Sequence, residues 1–160
     1  MARPLLLLVA LISLVAALAA CGGGDNEPES TPEFDAAYTP VNDGVLAFAA
    51  ASVEALPAQG QRVTEQTANQ VGELAKQAGD LAGEVSQLQP PEDLTEATQT
   101  LQTTLEQTAD GLEEVAAAAR NGDQQAAIAA VQQLAPTGQE LNGAQDFLAE
   151  ATGTPTGQEE

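Results

Sequence analysis

"VTEQTANQVGELAKQAGDLAGEVSQL", Val63 to Leu88, decides the fold class. Val63, Thr67, Val71, Leu74, Ala78, Leu81, Val85 and Leu88 recur at steps of three and four, forming one apolar stripe along a helix. Outward from this stretch the same period continues. Leu94, Ala97, Leu101, Leu105, Ala109, Leu112, Val115 and Ala119 make a second stripe, and Ile128, Val131, Leu134, Leu141, Ala144 and Leu148 a third. A shorter first helix carries Val41, Val45, Phe48, Ser52 and Leu56. No stretch alternates with period two, so the sequence predicts no sheet.

Breaks fall between the stripes. Thr39-Pro40 suits an N-cap followed by proline at the first helical position, with Phe34, Ala37 and Tyr38 as an earlier turn kinked by Pro40. Leu56-Pro57 and Gly60 separate the first two helices. "QPPED", Gln89 to Asp93, stops the second helix and places acids at the positive end of the third. In "ARNGD", Arg120 faces the negative end of the third helix, Gly122 suits a left-handed cap, and Asp123 caps the fourth. Pro136 and Gly138 are expected to kink or divide that fourth helix.

Short connections make successive helices antiparallel neighbours. The expected fold is therefore all-α: an up-down antiparallel bundle of three long helices and a shorter first one, over residues 34–151. The stripes alone do not separate this from a long, partly open coiled coil. "GGGDNEPESTPE", Gly22 to Glu33, has no large apolar residue and reads with Cys21 as a flexible acidic tether over 21–33. Residues 152–160 read as a disordered polar tail. An Ala-rich core buries little area per residue, so modest stability is expected.

The N-terminal "MARPLLLLVALISLVAALAA" has the layout of a cleaved signal peptide over residues 1–20. Arg3 supplies the positive start, Leu5 to Leu18 the apolar region, and Ala19 and Ala20 the small residues before the only cysteine, Cys21. Leu18-Ala19-Ala20-Cys21 resembles the lipobox of bacterial lipoprotein precursors. The resemblance implies cleavage between Ala20 and Cys21, and a diacylglycerol on the Cys21 sulfur that holds the protein in the cell membrane at its extracytoplasmic face. With "LQPPEDL" and "ARNGD", the chain also resembles small Ala- and Gln-rich helical lipoproteins of bacteria. That likeness implies no activity and transfers no site residues. A lone cysteine excludes an intramolecular disulfide, so the mature fold must stand on its core.

Losing Arg3 with the leader leaves Arg62, Lys76 and Arg120 against 24 carboxylates, a formal −21 on the mature chain. Such a field repels nucleic acid and anionic lipid head groups and draws cations without selectivity. Solubility is the plainest use of it. The chain has no His, which removes the usual general base and metal ligand and every Ser-His or Cys-His nucleophile pair. No cofactor, catalytic residue or metal site is predicted. Glu106, Asp110, Glu113 and Glu114 sit at helical neighbour spacing or adjacent, and read as a solvated face before a loose Ca²⁺ or Mg²⁺ site. Gly72, Gly79 and Gly83 suggest a close helix crossing. Tyr38, Phe48 and Phe147 are expected near the core, or else lining a small apolar groove. The expectation is a non-enzymatic, lipid-anchored envelope protein that binds a protein partner through an apolar strip on a bundle groove, or acts as a spacer. The alternative is a lipoprotein binding a solute or divalent cation through its acidic surface.

Overall fold

Two Thr-Pro dipeptides compete to start the first helix, and the earlier one wins. In the structure, a computed structural model describing residues 29–56 and 63–156, α1 runs over Pro32–Ala55. Its N-cap is Thr31, whose hydroxyl accepts from the Phe34 N–H at 3.2 Å. Thr39-Pro40 lies inside the helix instead of opening it. The longer helix buries Phe34 and Tyr38 on the face that carries Val41, Val45 and Phe48, and the Phe34 and Tyr38 rings stack at 5.8 Å. Burying each aromatic stabilises by about 1.5–3 kcal/mol, enough together to offset the roughly 3 kcal/mol cost of an interior proline. The backbone bond lost at Pro40 belongs to the carbonyl of Ala36, an exposed residue that water can serve.

Three further helices follow: α2 over Glu65–Val85, α3 over Thr95–Arg120 after a 3₁₀ turn at Glu92–Leu94, and α4 over Gln124–Thr152. At 24 residues α1 exceeds the 21 of α2, so the first helix is not the short member. No strand occurs among the described residues. Thr64 and Thr67 close a reciprocal capping box on α2, and Asp123 accepts from the Ala126 N–H at 3.0 Å to start α4. Gly122 takes φ 70° and Gly153 φ 66°, each ending a helix where a side chain would be strained. The α4 helix runs unbroken through Pro136 and Gly138, contrary to the expected division. The carbonyl freed by Pro136 is that of exposed Gln132, while Leu141, Ala144 and Leu148 beyond it stay buried.

Thr31 to Glu33 thus belong to the start of α1 and not to a tether. Thr152 ends α4, and the Thr154 N–H bonds back to the Ala149 carbonyl at 3.0 Å, so the polar tail begins later than expected. The leader, Cys21, the tether up to residue 28, the break at 57–62 and residues 157–160 lie outside the described residues.

The helices pack as a ring in which each meets its sequence neighbours. The α2–α3 and α3–α4 seams are extensive, α1 lies against α2 over less length, and α1 closes onto α4 most sparingly. One core fills the ring, with Val71, Leu101, Leu105, Leu112 and Leu148 among its inaccessible side chains. Thr98, Thr104 and Thr108 extend the α3 stripe inward; each donates its hydroxyl to a carbonyl one turn back, at 2.7–2.8 Å, and buries its methyl. Ile128 departs from the expected stripe. It is 36% exposed because Ala127 and Ala130 set the inward arc, and at 3.6 residues per turn position 128 lies about 100° from the first and about 160° from the second.

Close approach falls on other glycines than expected. A Cβ at Gly44 would come within 2.6 Å of Leu81 Cδ2, and one at Gly111 would strike Leu134 Cδ2. Those two leucines lie over the bare backbone of the neighbouring helix. Gly79 and Gly83 have nothing within 4 Å of a built Cβ, and at Gly72 only the Arg120 guanidinium comes near. Gly79→Ala and Gly83→Ala should therefore each raise stability by about 0.5–1 kcal/mol through helix propensity alone. Gly111→Ala must first displace Leu134 and should gain none of this. Urea midpoints followed by circular dichroism at 222 nm check the ordering; an equal rise in all three variants would contradict the packing described.

Candidate functional site

Polar side chains gather inside the bundle at the α1–α4 seam. Gln145 donates from Nε2 to Asn42 Oδ1 at 2.9 Å, and Asn42 donates from Nδ2 to the Pro155 carbonyl at 2.9 Å. The Tyr38 hydroxyl donates to the Gln145 carbonyl at 3.4 Å. Tyr38 and Asn42 are fully buried and Gln145 is 4% exposed. Burial first, and the Asp146 carboxylate second, push the Tyr38 phenol well above its ordinary value. Asn42 uses both ends of its amide to join α1, α4 and the strap after Gly153. The cluster holds the ring shut and offers no free group facing a cavity. Neither residue belongs to an apolar stripe, yet the register marks both: Asn42 follows Tyr38 by four, and Gln145 follows Leu141 by four.

The open site lies one face further round α4. Leu141, Ala144, Gln145 and Leu148 turn inward, while Glu140, Gly143 and Phe147 look toward the first turns of α3. With Asp93, Glu96, Ala97 and Thr100 they line a groove of about 440 Å³. Its floor is made of Ala97, Gly143 and Ala144, residues too small to fill the space between the two helices. Gly143 has no atom within 4 Å of a built Cβ. Phe147 forms a wall and is 42% exposed. Of the two readings for the aromatics, Tyr38 and Phe48 lie in the core, whereas Phe147 lines a groove instead. Position 147 lies about 60° round the helix from Ala144 on the side away from Leu148, outside the inward arc, so its ring borders the seam instead of entering it.

The acidic run on α3 lies along one exposed stretch of the helix. Glu106, Asp110, Glu113 and Glu114 are all exposed, and Glu106 accepts from Gln102 Nε2 at 3.0 Å. Among the described residues no group of three or more Cys, Asp or Glu is placed to hold a metal ion. No helix among them is long and apolar enough to cross a membrane. Cys21 and Ala20, expected as the lipidated residue and its cleavage partner, lie outside the described residues. No protein-family model, curated protein or solved structure matches the chain.

Two measurements test the seam. Asn42→Ala leaves the Gln145 amide and the Pro155 carbonyl without their partner and should cost about 1–3 kcal/mol, with faster amide exchange at Thr154. Because folding raises the Tyr38 pKa, its contribution is complete below about pH 10, the ordinary tyrosine value, and is lost as pH rises beyond it. As the only tyrosine in a chain without tryptophan, Tyr38 should show no phenolate absorbance at 295 nm until the protein unfolds. Ionisation near pH 10 with helicity intact would contradict its burial.

Proposed function

We propose that this chain is a lipid-anchored, non-enzymatic protein of the bacterial cell envelope that binds a protein partner through the α3–α4 groove. The anchor is diacylglycerol on Cys21, at the extracytoplasmic face of the membrane. The Leu18-Ala19-Ala20-Cys21 sequence supports it, and two or more acyl chains exceed the single chain that binds membranes only marginally. A binding role in place of chemistry is supported by the lack of His anywhere in the chain and by the buried amides of Asn42 and Gln145 being committed to hydrogen bonds that join the helices.

The observation that carries the binding role is Phe147. A phenylalanine 42% exposed beside a floor of small residues leaves apolar area in water that a partner would cover. The other large exposed apolar residues, Val53 on α1 and Ile128 near the start of α4, do not line this groove. Aromatic side chains in small depressions are the usual anchors of protein interfaces.

Fractionation and photo-crosslinking test the two halves separately. Wild-type protein should sediment with membranes and carry the mass of an acylated N-terminal cysteine, while Cys21→Ser should not. A photoreactive phenylalanine analogue at position 147 should give a crosslinked product of discrete mass in intact cells, and the same analogue at Val53 should not. Equal or absent crosslinking at both positions would favour a spacer and remove the binding role.

A further inference from the structure

We infer that the α3–α4 groove takes a cationic amphipathic helix of the partner, seating its apolar face on Ala97 and Ala144 and its Lys or Arg side chains on the rim. The inference rests on the groove being the binding face and specifies what occupies it. Asp93, Glu96 and Glu140 rim the groove, and no basic side chain lines it. The Thr100 hydroxyl donates to the Glu96 carbonyl at 2.9 Å, which leaves only its acceptor side for a ligand. Every polar side chain lining the groove is therefore an acceptor. An occupant must supply the donors, and ammonium or guanidinium groups supply them with matching charge. The exposed Phe147 ring adds a face on which such a cation is attracted by the π electrons.

Shape selects a segment over a small molecule. Ligand pockets enclose most of the surface of what they bind, whereas this depression is shallow and open to solvent. From Glu140 to Phe147 the α4 wall covers about 10 Å, close to two turns of a helix lying in the groove. Over that length an apolar pair at i and i+4 meets the small-residue floor, and flanking cations reach Glu96 on one side and Glu140 on the other.

The probe is a 14-residue peptide with Leu at i, i+3, i+4 and i+7 and Lys elsewhere, titrated by fluorescence anisotropy into the full lipidated chain in nonionic detergent, with micelles alone as blank. Phe147→Ala should weaken binding about tenfold, as truncation of an interface anchor does. Neutralising Glu96 and Glu140 together (Glu96→Gln with Glu140→Gln) should weaken it far more than the same charge change away from the groove, Asp80→Asn with Glu84→Gln. Binding that ignores Phe147→Ala, or that falls equally with either neutralised pair, would reduce the effect to bulk charge attraction and overturn the inference. A crosslink at position 147 would then still stand for the binding role, so the two ideas fail separately.

Discussion

The structure depends on how a ring of helices closes when its inner faces are mostly small. Ala, Val and Thr bury little area, so the seams must be tight to gain from dispersion and from water release. Leu81 over Gly44 and Leu134 over Gly111 show one means: a large side chain on one helix lies against bare backbone on the next. The α1–α4 seam has the fewest close approaches, and there closure passes to hydrogen bonds. Asn42, itself fully buried, is the hub, donating to Pro155 and accepting from Gln145. Such bonds add little net stability over hydration but are costly to break singly, so they favour one register of α1 against α4 over its neighbours.

The same economy of side chains explains the groove. Ala97 and Ala144 let α3 and α4 draw together, and Gly143 beside them offers no cover for the outer part of the seam. A larger residue at any of these positions would fill the depression and screen Phe147. Tight packing inside and an open channel outside are thus two results of one composition. The carboxylates around it follow from an acidic surface at large, but their placement beside an exposed ring and a hydroxyl already committed as donor is particular to this seam.

Much of this architecture was legible in the periodicity. The α2 and α3 stripes, the "QPPED" turn, Gly122 as a left-handed cap and Asp123 as an N-cap all appear where the sequence places them. What escaped depends on comparing local rules with burial. Proline rules favour a helix start at Pro40 and a kink or break at Pro136, yet both helices run through them because the lost bonds belong to carbonyls at exposed residues while apolar side chains on either side are buried. Glycine spacing pointed to Gly79 and Gly83, but close approach is a property of two helices and only the partner's leucines reveal it. Phe147 looked like core by type; at 3.6 residues per turn it lies about 60° outside Ala144, past the edge of the inward arc, and so turns outward. The polar hub was the least visible, since Asn42 and Gln145 are ordinary on any surface and gain meaning only when their faces meet.

The antiparallel meeting of α1 with α4 also sets how the domain would answer a mechanical load. Asn42 near the start of the chain's helical part holds Pro155 near its end, so both strands of the polypeptide leave from one pole. Traction between an anchored amino terminus and anything gripping the carboxyl terminus would not shear the two helices lengthwise. It would peel them apart from that pole, loading the Pro155 strap and then Gln145 in succession, with the long α2–α3 and α3–α4 contacts spared until α1 had come away.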